Sequence, residues 1–83
     1  MDTIRRKIVM TEREIQFLEM EELLKFSRIC RKVDFDIDVS FRKGRIDAKS
    51  ILGLLSIELG EKVKLIAHSQ EEEIDQYFQE FYA

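Results

Sequence analysis

The chain has 83 residues, 45% of them apolar and 37% charged, with a formal net charge of −3. That length fits one domain over residues 1–83 and excludes two, and the composition excludes both a disordered chain and a membrane span of roughly 18–20 apolar residues. A net acidic chain is also a poor non-specific binder of nucleic acid.

The charge is uneven. Residues 1–32 carry eight Lys/Arg against six Asp/Glu, and residues 33–83 carry six against eleven. Cys30 is the one cysteine, so no internal disulfide forms and a reducing, cytoplasmic setting is expected. The basic start, Arg5-Arg6-Lys7, is followed by no apolar core region, so no signal peptide is read.

In chain order, Arg5 to Met10 reads as a short strand, with Ile8 and Met10 on one face and Lys7 and Val9 on the other. Thr11-Glu12-Arg13-Glu14 matches a capping box and predicts a turn of helix near residue 12. Ile15, Phe17 and Leu18 break helical spacing, which predicts an irregular entry. From Met20 the helical period is clear: Met20, Leu23, Leu24, Ser27 and Cys30 share one side, with Phe26 at its edge. Arg28, Arg31 and Lys32 in the last turn favour the helix dipole.

Val33 to Phe41 is the clearest strand. Phe35, Ile37, Val39 and Phe41 alternate with Asp34, Asp36, Asp38 and Ser40, which predicts one buried face and one wet face. Arg42-Lys43-Gly44 is a turn, and Arg45 to Ala48 returns as a strand with Ile46 directed inward. Ser50 caps a short helix over Ile51 to Leu59, stopped by Gly60, with Leu54, Ile57 and Leu59 filling its buried stripe. Lys62 to His68 is a strand. Ser69-Gln70-Glu71-Glu72 is a second capping box, and Ile74, Tyr77, Phe78 and Phe81 mark the buried face of a last helix. The order β-α-β-β-α-β-α predicts an α+β fold in which a four-stranded antiparallel sheet carries three helices on one face.

The chemistry-bearing residues are few. Among them, His68 is the only histidine, at a strand end, and reads as a solvated polar residue. Cys30 reads as core. One Cys and one His cannot close a metal site, and Asp34, Asp36 and Asp38 read as a solvated strand face. No Gly-rich phosphate loop and no nucleophile with an adjacent base is found, so no enzyme and no cofactor is expected.

The stretch Asp47-Ala48-Lys49-Ser50-Ile51-Leu52-Gly53-Leu54-Leu55-Ser56 resembles the regulatory-serine segment of HPr, the histidine-containing phosphocarrier family of the bacterial sugar phosphotransferase system. Gly44 and Gly60 resemble the family's glycines before its third and last strands, and the element order is the HPr open-faced sandwich. The family's histidine motif is missing. Counting back from Lys49-Ser50 puts Glu19 where the family has its phosphorylated histidine, Glu21 where it has arginine and Glu22 where it has proline. Residues 1–67 contain no histidine. Phosphohistidine transfer needs a neutral imidazole nucleophile and cations or N–H groups around the phosphoryl oxygens. A carboxylate at Glu19 would form an unstable acyl phosphate, and Glu21 reverses the charge.

The resemblance implies a divergent family member that acts as a protein-binding regulatory module in the phosphotransferase system or carbon regulation. Its partners would be phosphotransferase components, a serine kinase or a transcription regulator, with no direct nucleic-acid or membrane partner. Ser50 is a helix cap contributing about 1 kcal/mol, and the resemblance adds phosphorylation by a dedicated kinase, with Lys49 adjacent. Ile51, Leu52 and Leu55 are either a wider buried face or, as the resemblance implies, the partner-docking patch. Glu19 is either a simple helix-start acid or a weak permanent imitation of the phosphorylated state. The alternative function is a structural or homo-oligomerising module that keeps the fold without phosphorylation.

Overall fold

The computed structural model describes residues 9–83. Its elements run β1 (Thr11–Gln16), α1 (Met20–Lys32), β2 (Ile37–Phe41), β3 (Gly44–Asp47), α2 (Ile51–Leu54), β4 (Lys62–Ala67) and α3 (Glu71–Phe78), and a 3₁₀ turn over Gln79–Phe81 follows. The four strands form one antiparallel sheet in the order β1-β4-β2-β3. This is the expected α+β architecture of four strands and three helices.

Register decides which side chains meet the helices. Ile15 lies opposite Val63, Val39 opposite both Leu65 and Ile46, and Ile37 opposite Ala67. These residues share one face because strand side chains alternate. They join Leu23, Phe26 and Cys30 of α1, Leu54 of α2 and Ile74 and Phe78 of α3 in one buried cluster. The opposite face carries Glu12, Glu14, Lys62 and Lys64, all exposed. Ion pairs cross that face, Lys64 to Glu12 at 3.5 Å and Arg45 to Asp38 at 2.9 Å. Ile66 is the one apolar residue that the sheet directs there.

Four aromatic rings tie α1 to the chain's end. Phe26 stacks on Phe17 with centroids 5.0 Å apart, and meets Phe78 and Phe81 at 5.3 Å each. The Phe26–Phe81 contact is edge-to-face at 85°, the arrangement favoured by ring quadrupoles.

Several expectations are corrected. Thr11-Glu12-Arg13-Glu14 forms no capping box; it is the first half of β1. Thr11, Ile15 and Phe17 are buried at period two, and the Thr11 hydroxyl donates to the Ser69 carbonyl at 2.7 Å. Of the strand expected at Arg5–Met10, residues 5–8 lie outside the described residues, and Val9 and Met10 precede β1 without joining it. β2 begins at Ile37, not Val33. Val33, Asp34 and Phe35 form a bend, because the Val33 carbonyl closes the end of α1 by accepting from Lys49 Nζ at 2.8 Å. On α1, Phe26 is fully buried, whereas Met20 and Leu24 are 45% and 37% exposed.

Near α2 and α3 the corrections concern helix ends. α2 stops at Leu54. Tight bonds from Ser56 N to the Gly53 carbonyl (3.1 Å) and from Ile57 N to the Leu54 carbonyl (3.0 Å) replace the helical ladder, and the Ser56 hydroxyl also donates to Gly53. Leu59 is therefore exposed. Gly60 is not the helix stop. It sits at φ +90°, where only glycine is at ease, and its N–H donates to the Phe17 carbonyl at 2.7 Å. The second capping box does not form either. Gln70 holds the N-cap position of α3 without a side-chain bond, and the Ser69 hydroxyl bonds the Glu73 carboxylate. Tyr77 is 39% exposed, which leaves Ile74, Phe78 and Phe81 as the buried stripe.

Candidate functional site

The start of α1 and the α2 segment carry the residues that the resemblance singles out. β1 delivers the chain to Phe17, whose buried ring anchors the turn into α1. Glu19 is the N-cap of α1, with an extended backbone at φ −137° and ψ 155°, and its side chain makes no cap bond. Its carbonyl accepts from Glu22 N at 3.1 Å and from Leu23 N at 3.4 Å, which begins the helix. Glu22 reaches back, and its carboxylate accepts from Leu18 N at 2.9 Å. Glu22 therefore has a structural task, the acidic half of a capping box. Glu19 and Glu21 are exposed.

These three acids border a shallow depression of about 420 Å³, completed by Leu24, Lys25, Arg28 and Glu80. Lys25 spans it to Glu80 at 2.8 Å. A phosphoryl group here would meet three carboxylates before any cation, so the surface repels anions despite the helix N-terminus.

His68 is far from this place. Gln16, just before the turn into α1, pairs with Lys62 at the start of β4, while His68 follows Ala67 at its end. The strand length separates them by roughly 16 Å. The His68 N–H donates to the Asp36 carbonyl at 2.9 Å. Cys30 is buried on α1, and burial pushes its thiol up to about 12, so it offers no thiolate near neutral pH. Among the described residues no group of three or more His, Cys, Asp or Glu could hold a metal ion. No helix of the described residues is long and apolar enough to cross a membrane.

Ser50 sits at the N-cap of α2, exposed, with its hydroxyl accepting from Gly53 N at 3.4 Å. Asp47 braces the preceding turn by accepting from Lys49 N at 2.9 Å. Lys49 does not turn toward the Ser50 hydroxyl; its ammonium bonds Val33 at the end of α1. Gly53 lets α2 sit close on β3, since an added Cβ would come within 3.3 Å of Ile46 Cβ. α2 also contacts α1.

The expected docking triad divides. Leu52 is 78% exposed and Leu55 46% exposed, but Ile51 is partly buried and packs on the core. Sequence reasoning did not single out Leu18, 63% exposed, or Met20 as surface residues. Their exposure follows from the helix phase set by Leu23, Phe26 and Cys30, a signal present in the sequence. The exposed apolar set is thus Leu18 and Met20 at the start of α1 and Leu52 and Leu55 on the α2 segment.

No protein-family model and no curated protein matches the sequence. Solved structures do match the fold. A phosphocarrier protein HPr from Bacillus anthracis superposes with a TM-score of 0.71 at 19% identity, covering 90% of this chain and 99% of that one. HPr-C-His from Thermoanaerobacter tengcongensis superposes with a TM-score of 0.63 at 28% identity, covering 90% and 89%. The fold of this chain is that of the HPr phosphocarrier proteins.

Proposed function

We propose that the chain is a divergent relative of the HPr phosphocarriers that works as a protein-docking regulatory module and not as a histidine phosphocarrier. The observation that carries this reading is Glu19 at the N-cap of α1, in a sequence with no histidine before residue 68. In the HPr-like pattern that position takes phosphate. Here it offers a carboxylate beside Glu21 and Glu22, which disfavours a phosphoryl group on charge and on nucleophilicity. The fold is kept while the reacting group is absent, so the remaining use of the surface is recognition.

Leu52 and Leu55 are the docking residues of this proposal, with Ile51 supporting them from the core side. Exposed leucines clustered on one short segment favour this use, since isolated apolar residues need no explanation but grouped ones mark contact surfaces. The fitting partners are components of the sugar phosphotransferase system, a serine kinase or a transcription regulator, in the cytoplasm. Ser50 is the proposed switch. A phosphoryl group there would add close to two negative charges next to Leu52 and weaken apolar docking. Glu19 belongs to the same surface, and Glu19→Gln tests whether its charge is read by the partner.

The test pairs binding with modification. Calorimetry against purified phosphotransferase components should show a complex that Leu52→Asp abolishes. ATP with the serine kinase should label wild type and leave Ser50→Ala unlabelled. Binding that is indifferent to Leu52→Asp would remove the docking surface from this account. No binding and no label would leave the alternative, a structural module that keeps the fold alone.

A further inference from the structure

The solvent face of α1 carries a charge pattern that the proposed docking function does not use. Leu23, Phe26, Ser27 and Cys30 point inward. At 100° per residue the outward ridge is therefore Glu21, Leu24, Lys25, Arg28 and Lys32. Along it the signs are sorted, with Glu19, Glu21 and Glu22 at the start and Arg28, Arg31 and Lys32 toward the end. The helix dipole accounts for acids in the first turn and bases in the last. It does not account for Arg28, which lies a turn earlier, or for Met20 and Leu24, which are 45% and 37% exposed beside these charges.

We infer that this face is an interface between two copies of the chain, packed as antiparallel α1 helices around a two-fold axis at Leu24. Glu21 and Arg28 stand seven residues apart, about 10 Å along the helix, with their midpoint beside Leu24. A two-fold axis there sets Glu21 of each copy against Arg28 of the other and brings the two Leu24 side chains together. The interface is isologous, so one favourable pairing is made twice. A parallel arrangement would set acid on acid. A foreign helix would need the reverse order of charges, which a second copy supplies by being turned around.

Lys25 lies near the axis and would repel its counterpart. Its ammonium is instead drawn aside to Glu80, at 2.8 Å. Glu21 and Arg28 have no ion-pair partner among the described residues and are exposed. Each exposed pair contributes little and is screened by salt, so the dimer is weak and salt-sensitive. The inference stands apart from the docking reading, which rests on Leu52 and Leu55.

Sedimentation of the whole chain over a concentration series at low and high salt tests it. The expected result is a monomer–dimer equilibrium weakened by salt. Glu21→Arg alone or Arg28→Glu alone should raise the dimer Kd roughly tenfold, because each places like charges together twice. An equimolar mixture of the two variants should return to within about threefold of wild type, because both cross-pairs are then opposite in sign. Circular dichroism checks that each variant folds. Leu24→Glu, which sets two carboxylates at the axis, gives the same loss should either charge variant misfold. A chain that stays monomeric throughout, or a mixture that gains nothing over its components, overturns the interface.

Discussion

Arg13 of β1 reaches across to Asp75 of α3, with Nε 3.1 Å from Oδ1, and the same carboxylate accepts a hydrogen bond from the Tyr82 hydroxyl. Glu71 holds the other arm of the guanidinium at 3.0 Å. The network explains a charged residue on the helix-facing side of β1, where Arg13 lies opposite Leu65. It also fastens the chain's end. Tyr82 bridges to Ile15, and Ala83 N donates to the Glu14 carbonyl at 3.0 Å.

The network titrates in known directions. Burial first, and then the bond to Asp75, push the Tyr82 phenol up to about 12. The fold therefore favours the neutral phenol. Its contribution is complete below the ordinary tyrosine value of about 10 and is lost as pH rises through about 12. Tyrosinate absorbance of Tyr77→Phe, which leaves Tyr82 as the only tyrosine, should show a midpoint near 12. A midpoint near 10 would mean that the network does not hold in solution. Asp75 behaves oppositely. The Tyr82 hydrogen bond first, and then Arg13, hold its carboxyl below the usual range, so its contribution is present above about 4 and fades only in stronger acid.

Phe26 joins three other aromatic rings and is fully buried. Phe26→Ala should cost about 3–5 kcal/mol, a large part of the stability of a domain this small. Urea unfolding measures it. A loss under about 1 kcal/mol would mean that the aromatic cluster does not organise the core.

Much of this architecture is legible in the sequence, and the failures have physical reasons. α1 and the inner residues of β2 stand out because Leu23, Phe26 and Cys30 keep helical spacing while Ile37, Val39 and Phe41 keep period two. β1 is obscured by Arg13. A charge in the middle of the inward row breaks the apolar alternation, and only the distant carboxylates of Glu71 and Asp75 make it tolerable there. Thr11 to Glu14 then imitates a helix start. The short α2 is set by hydrogen bonds of Ser56 and Gly53 that no periodicity announces. At the candidate site, Glu19, Glu21 and Ser50 lie at or beside helix starts as their spacing suggests. Ile51 turns toward the core because a four-residue helix has too few positions to keep three apolar residues on one open face.

Cys30 should be inert in the native state. With its thiol pushed up to about 12 by burial, a thiol reagent at neutral pH should label it only at the rate of unfolding. Labelling should become complete in denaturant. Fast native labelling would contradict its place in the core.

Ser50 and Leu52 should separate stability from recognition. Ser50→Ala removes a long cap bond of 3.4 Å and should cost no more than about 1 kcal/mol. Leu52→Asp, at a residue 78% exposed, should change stability by no more than about 0.5 kcal/mol. Thermal melts of both variants check this. A large loss from Leu52→Asp would make the residue structural and weaken its candidacy for docking.

The most direct measurement is phosphoryl transfer itself. The purified chain is incubated with phosphoenolpyruvate and the kinase that charges HPr proteins, followed by the sugar-specific acceptor component. The account predicts no acid-labile label on the chain and no phosphate passed to the acceptor, since Glu19 stands where an imidazole would have to act. Phosphate arriving on the acceptor through this chain would contradict it.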